Sequence, residues 1–456
     1  MNRFNKFPGI PALGRSGFAS SLGGLLKWIV LGGVVGILAG SASALFLNSL
    51  AYVTGLRLDH PWLLFLLPLG GALISWLYLK YGKTSGRGNN LILEQIHGTD
   101  PAPIPLRMAP LVLFGTLTSH LLGASVGREG TAVQMGGSLA DAFGRLIRIA
   151  PADRQILLIC GISGGFGSIF GTPLAGTLFG LEVLAIGLVR YEALIPAFVA
   201  SFAGNLVTSS FWGVTHAHYA IDSVPALSAA IVWKVVLASI LFGLMGMAFS
   251  ETTHAFKRLY ARLFKNPVFR SAVGGVVVIA LVYLLGTREY LGLGLPLIEA
   301  SLTGDVSPFA FVGKFLFTTL SLGAGFQGGE VTPLFAIGAT LGHSLAAVLQ
   351  VHAPFLAALG FIAVFCGATH TPIACFLMGI ELFGADAAVY LFIACLISYG
   401  FSGHSGIYTS QRIGVSKYRG RVFPVGTTLE SAKTIRQKDR REAAVPLDLP
   451  TKSDDD

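Results

Sequence analysis

Charge is scarce in this chain. Lys, Arg, Asp and Glu together make up 12% of its 456 residues, about half the share of an ordinary soluble domain. That scarcity excludes a domain whose whole surface is solvated by ionic groups. Cysteine is rarer still: Cys160, Cys366, Cys375 and Cys395 each lie in an apolar run, without the paired spacing of a zinc site or a disulfide framework. They read as small core residues. No histidine pair of the H-E-x-x-H kind occurs, and His120, His343, His370 and His404 are scattered. No metal and no cofactor is therefore expected. The net charge of +9 sits in polar segments between apolar runs, not on an organised basic face, so nucleic acid is excluded as a partner.

What the chain has in abundance is apolar sequence. Hydrophobic residues account for 53% and the mean hydropathy is +0.69. Long runs recur at Leu25–Val53, Pro61–Leu79, Ile156–Leu188, Val232–Phe249 and Ser271–Leu285, with shorter ones at Phe355–Phe365 and Val389–Ile397. Several reach the ~20 residues that span a bilayer core. The shorter ones suggest tilted, buried or interrupted helices. No signal peptide with a cleavage site precedes the first run. The fold class expected is all-α: a polytopic membrane protein built of broken and tilted helices.

Basic residues orient it. Arg3, Lys6, Arg15 and Lys27 precede or open the first span, Lys257 to Arg270 crowd a mid-chain segment, and Arg412 to Arg421 follow the last span. The positive-inside rule puts all three regions, and so both termini, in the cytoplasm of an inner-membrane protein. The expected organisation is a cytoplasmic segment over residues 1–24, a first membrane half over 25–250, a basic linker over 251–270, a second membrane half over 271–420 and a polar tail over 421–456.

The two halves echo each other. Thr172–Glu182 reads TPLAGTLFGLE and Thr371–Glu381 reads TPIACFLMGIE, with Thr-Pro, Ala, Leu, Gly and the final Glu all in register. Upstream in each half stands a glycine-rich turn, GREGTAVQMG from Gly127 and GEVTPLFAIG from Gly329. Two matches in the same order indicate an internal duplication. Transporters duplicated in this way commonly invert one repeat and build the substrate site where the repeats meet. Because Glu182 and Glu381 recur together, they read first as structural carboxylates at helix ends or interfaces. Gly176 and Gly180 read as close helix packing.

Four segments interrupt the apolar pattern: 86–92, 127–131, 328–333 and the stretch around Tyr408. The first three each lead into a helical stretch. A helix start exposes about four unpaired N–H groups and roughly half a positive charge. Several starts aimed at one point make an anion site without a full charge, and one that can still release its ion. Glu129 at such a start would compete with the anion for the same N–H groups. Ionised, it blocks the path; protonated, it leaves, which makes it a gate and a proton carrier. The competing reading is a carboxylate that merely complements its helix dipole.

On these residues the chain resembles the CLC family of anion channels and transporters. Gly127-Arg128-Glu129-Gly130, with Val133-Gln134 beyond, is similar to the family's GREGPxVQ motif; Gly328–Pro333 resembles its second-half GxFxP motif, and Ser168–Glu182 its Pro-Leu-Ala-Gly helix. The resemblance implies a homodimer of inverted-repeat subunits with an anion path in each. It implies that Glu129 is the gating glutamate and Tyr408 the central anion-coordinating tyrosine.

The departures are as informative. Thr131 stands where the family has proline. Asn89, or Asn90 one residue on, stands where it has serine. Glu330-Val331-Thr332 replaces Ile-Phe-Ala, and Val183 occupies the place of the chloride exchangers' second glutamate. Together they resemble the fluoride/proton antiporter branch, which implies proton coupling through Glu330 and transport through Thr332. Fluoride is small and tightly hydrated, so the Asn89 amide and the Thr332 hydroxyl would supply the short hydrogen bonds that replace its water. The candidate site is thus Glu129 and Glu330 as proton-carrying groups, with Asn89, Gly127, Arg128, Gly130, Val331, Thr332 and Tyr408 around the anion. The expected partners are fluoride or chloride, protons, the lipid bilayer and a second copy of the chain. The alternative within the family is a chloride/proton exchanger or a passive channel. An intramembrane enzyme would need a nucleophile or metal set beside the two glutamates, and the sequence offers none.

Overall fold

A computed structural model describes residues 15–99, 103–304, 306–419 and 422–435. Helix dominates it, as the apolar sequence requires, because a backbone in lipid must bond to itself. Among the described residues sixteen α-helices fall into two sets of eight. The first set is α1 (Arg15–Asp59), α2 (Leu67–Leu77), α3 (Asn89–Ile96), α4 (Met108–Leu122), α5 (Glu129–Leu146), α6 (Pro151–Phe170), α7 (Pro173–Glu182) and α8 (Leu194–Leu206). The second is α9 (Ala229–Leu263), α10 (Pro267–Leu285), α11 (Leu295–Thr303), α12 (Ala310–Ala324), α13 (Val331–Leu349), α14 (Ala353–Thr369), α15 (Pro372–Phe383) and α16 (Ala388–Phe401). Among the described residues six helical stretches are long and apolar enough to cross a membrane, and five further apolar helices are shorter. The sheet consists of one two-residue parallel pair, Ala185–Ile186 with Arg412–Ile413.

The sequence leaves clear marks at these boundaries. Proline opens α6, α7, α10 and α15, where a missing N–H costs nothing. The long apolar run from Ile156 breaks at Gly171, which adopts φ +74° and ends α6 before Pro173 starts α7. Small residues let the helices approach closely. A side chain at Gly161 would come within 2.6 Å of the Gly136 carbonyl, binding α6 to α5, and the same arrangement at Gly338 and Gly360 binds α13 to α14.

The repeats are inverted, and one reciprocal contact displays it. The Glu182 carboxylate at the end of α7 accepts from the N–H groups of Ile373 (3.2 Å) and Ala374 (2.8 Å) at the start of α15. The Glu381 carboxylate at the end of α15 accepts from Leu174 (2.8 Å) and Ala175 (2.9 Å) at the start of α7. Each helix therefore caps the other, and two helices can do that only when antiparallel. A carboxylate at a helix start satisfies orphan donors and the dipole together. The recurrence of Glu in both repeats has this cause.

Two expected boundaries move. Residues 251–263 are not a linker: they continue α9, and the chain turns to α10 within residues 264–266. The element correspondence instead divides the halves between α8 and α9, in the non-helical stretch 212–228. The basic residues Lys257, Arg258 and Arg262 lie on the last turns of this long helix. At the other end, α1 already begins at Arg15, inside the segment assigned to 1–24. The tail packs as well. Leu429 and Ala432 are buried with Ile186 and Ile413, and the Lys433 ammonium pairs with Glu251 at 2.9 Å. Residues 1–14 and 436–456 lie outside the described residues.

Because the two caps are equivalent by symmetry, Glu182→Ala and Glu381→Ala should each remove about 2 kcal/mol of helix-start stabilisation. Thermal melting of the purified protein, followed by size exclusion, should fall by similar amounts for both; no fall for either would refute the reciprocal cap.

Candidate functional site

Helices α5 and α13 start head to head, and the turns before them are stitched together. The N–H of Gly127 donates to the carbonyl of Gly329 at 2.6 Å, and the N–H of Gly329 returns the bond at 2.9 Å. This antiparallel bridge joins the equivalent residues of the two repeats. Only glycine allows the approach. A Cβ at Gly127 would meet Glu129 Oε2 at 2.7 Å and the Gly329 carbonyl at 2.9 Å, and one at Gly329 would collide with the Glu129 carboxylate itself.

The Glu129 side chain, 1% exposed, leaves its own helix and lies on the other. Its carboxylate accepts from Val331 N at 2.7 Å, from Thr332 N at 3.3 Å and from the Thr332 hydroxyl at 3.3 Å. Arg128 N adds a fourth bond at 3.0 Å. The carboxylate therefore occupies the free N–H groups at the start of α13. Charge-assisted bonds of this kind are about twice as strong as neutral ones. Any anion that uses those donors must displace Glu129.

The remaining predicted residues gather at this point. Gly130 brings α5 against Gly329, and a Cβ there would lie 3.4 Å from Asn89 Nδ2, so the start of α3 meets the start of α5. The two asparagines separate cleanly. Asn90 Oδ1 accepts from Ser410 N at 3.0 Å, which commits it to the segment after Tyr408. Asn89 turns toward Gly130, and its Oδ1 is buried without a partner. Tyr408, 5% exposed, packs edge-on against Phe179 with centroids 6.3 Å apart and lies within electrostatic reach of both Glu129 and Glu330. Glu330 immediately precedes α13, is half-buried, and senses the charges of Glu129 and Lys257. A cavity of about 20 Å³ is lined by Arg128, Thr332, Tyr219, Phe170, Phe335 and Phe361, room for about one water-sized occupant.

Three features of the site escaped sequence reasoning. The first is an aromatic wall: Phe166 stacks on Phe179 at 4.0 Å and Phe335 on Phe361 at 4.0 Å, joined through Phe365. The 32 phenylalanines of the chain follow no spacing that singles these out. The second is the bond between the Thr131 and Thr116 hydroxyls, 2.6 Å long and buried. Thr131 thus ties α5 to α4, where proline could not. The third is Lys314, wholly buried on α12, one basic letter in an apolar run.

Comparison with known proteins adds to this geometry. The family model described as "Voltage gated chloride channel" matches residues 70–403. A chloride/fluoride channel protein of Pseudomonas syringae pv. tomato (strain ATCC BAA-871 / DC3000) is 50% identical over 401 residues, covering 86% of this chain and 88% of the relative. An H(+)/Cl(-) exchange transporter ClcA of Vibrio parahaemolyticus serotype O3:K6 (strain RIMD 2210633) is 28% identical over 394 residues, covering 78% and 81%. Among solved structures, a CLC-type fluoride/proton antiporter superposes with a TM-score of 0.83 at 35% identity, covering 86% of this chain and 98% of that one.

Asn89 and Asn90 should part company under mutation. Asn89→Ala should weaken halide binding, read by titration calorimetry, by about tenfold, the worth of one hydrogen bond to a charge. Asn90→Ala should leave affinity within about twofold and lower the melting temperature. The opposite pattern would make Asn90 the facing residue.

Proposed function

The chain belongs to the voltage-gated chloride channel (CLC) family, and from that premise we propose that it is a fluoride/proton antiporter that expels F⁻ from the cytoplasm in exchange for H⁺. One observation carries the reading: the Glu129 carboxylate occupies the N–H groups of α13 that an anion would use. Gate and ion share one set of donors, so only one of them is bound at a time.

The cycle follows from that competition. A proton arriving from outside neutralises Glu129, which weakens its charge-assisted bonds to Val331 and Thr332. The protonated side chain leaves, and fluoride from the cytoplasm takes the vacated donors. Glu330, whose carboxyl stands one residue before α13, then accepts the proton and hands it inward. Once ionised again, Glu129 returns to α13 and drives the fluoride outward. Each turn moves a proton in and a fluoride out, with no bond broken except O–H.

Fluoride is favoured by the donors around the pocket. A strongly hydrated ion leaves water only for short, well-aimed hydrogen bonds, and the Asn89 amide and the Thr332 hydroxyl supply them beside the backbone N–H groups. Tyr408 lines the path opposite. Its relative of 50% identity, named as a chloride/fluoride channel protein, and the antiporter of similar structure both support fluoride as cargo. The protein is proposed to sit in the inner membrane as a homodimer, with both termini and the basic α9–α10 turn in the cytoplasm.

In liposomes, an inward proton gradient should drive fluoride uphill through the unaltered protein. Glu129→Gln should abolish that coupling, and coupled flux at the normal rate in this variant would refute the gate. Thr332→Val should reduce fluoride turnover by about tenfold, the worth of one hydrogen bond to an anion, while chloride flux changes less. Equal losses for the two ions would argue for a chloride/proton exchanger.

A further inference from the structure

The guanidinium of Arg128 borders the small cavity at the start of α13. Its Nε is buried without a hydrogen-bond partner, and its plane lies over the ring of Phe170 at 5.6 Å. Glu129 is within electrostatic reach, but that carboxylate makes its bonds to the backbone of Arg128 and to α13. A guanidinium carries donors only and keeps its charge. Held against apolar walls, it is stabilised by an acceptor or an anion. The lining of the cavity, about 20 Å³ in volume, includes no acidic side chain.

The cavity has a second polar wall. Tyr219 comes from the non-helical stretch 212–228 between the two halves. Its N–H donates to Leu382 O at 3.0 Å. Its ring stacks on Phe383 with centroids 5.7 Å apart and tilts against Phe361 at 5.9 Å. Those contacts hold the phenol at the cavity, which Tyr219, Leu382 and Phe361 line together, and within electrostatic reach of the Arg128 guanidinium. Thr332, 1% exposed, lines it from α13, and its hydroxyl donates to Glu129 at 3.3 Å. Ala217 lines it from the stretch that carries Tyr219 and is exposed. The cavity thus lies between solvent and the start of α13. Helix α9 identifies which solvent. It runs 35 residues, about 50 Å, enough to cross a bilayer. The stretch 212–228 precedes its start and the basic α9–α10 turn follows its end. With that turn in the cytoplasm, Tyr219 faces the outside.

We propose that this cavity is an outer fluoride station, in which the Tyr219 hydroxyl and the Arg128 guanidinium receive the ion once it leaves the N–H groups of α13. This rests on the reading of those N–H groups as the site that Glu129 contests. At the station the ion meets O–H and N–H donors and a fixed positive charge. The volume selects as well. It suits about one water-sized occupant; fluoride is close to water in size, and chloride is larger. Phe335 stacks on Phe361 at 4.0 Å in its wall, and a close-packed wall yields only by moving its neighbours. Glu129, returning to α13, passes the ion to a place already lined with donors. From there it leaves past Ala217.

The test presents fluoride to each face separately, with the full-length protein in right-side-out spheroplasts and in inside-out membrane vesicles. Tyr219→Phe removes one oxygen atom. It should raise KM for fluoride at the outer face by about tenfold, the worth of one hydrogen bond to an anion, and move KM at the cytoplasmic face by less than about twofold. Arg128→Lys keeps the charge but loses the planar fork, and should show the same one-sided rise by about threefold. Tyr219→Ala widens the cavity and should raise chloride flux relative to fluoride. An outer-face KM unmoved in both Tyr219→Phe and Arg128→Lys overturns the station, as does an equal rise on the two faces. A lowered melting temperature as the only effect would make Tyr219 a packing residue and overturn it too. If Tyr219→Phe fails to fold, Arg128→Lys decides alone. Glu129→Gln, run alongside, separates this inference from the reading beneath it. Normal proton coupling in that variant sinks the reading of α13, whatever Tyr219→Phe does. Lost coupling there, with an unmoved outer-face KM in Tyr219→Phe, sinks the station alone.

Discussion

The arrangement depends on a bond made across the repeats. A carboxylate at the start of one helix is expected to complement that helix. Glu129 instead reaches over the Gly127–Gly329 bridge and accepts from Val331 and Thr332 on α13. The distinction decides what the residue can do. A glutamate bonded to its own helix start would be a fixed cap. One bonded to the facing helix is held by charge-assisted bonds that a single proton would weaken. Glycine at 127, 130 and 329 keeps the two starts close enough for that reach.

Inversion serves the structure twice, with the same chemistry and opposite outcomes. At α7 and α15 the carboxylates Glu182 and Glu381 bind the facing helix start reciprocally, and both positions are filled permanently. At α5 and α13 the second repeat has Val331 where the first has Glu129, so only one carboxylate crosses. The reciprocal pair closes both helix starts, and the unreciprocated one closes that of α13 alone.

Much of this was legible in the residues. Glycine turns before apolar stretches foretold the helix starts of α3, α5 and α13 to the residue or nearly so, and the repeated Thr-Pro…Glu segments foretold the duplication. The division between halves was not legible, because α9 runs 35 residues and carries its basic end out of the apolar pattern, imitating a linker. The caps of Glu182 and Glu381 could be guessed as helix-end carboxylates, but not their exchange, since partners some two hundred residues away leave no local trace. The bond from Ser410 to Asn90, made far along the chain, likewise left no mark in the sequence. Lys314 and the phenylalanine wall have no motif at all: a lone lysine among apolar letters says nothing about what lies behind it.

The exchanged caps also bear on how the chain is made. The start of α7 requires Glu381, and synthesis at about 5–20 residues per second delivers that residue roughly 10–40 s after α7 itself has emerged. Throughout that interval two bare amide groups wait inside or beside the bilayer, where water is the only substitute. Water is the substitute partner for those two amides until Glu381 arrives. The exchanged caps thus couple completion of α7 to the arrival of α15.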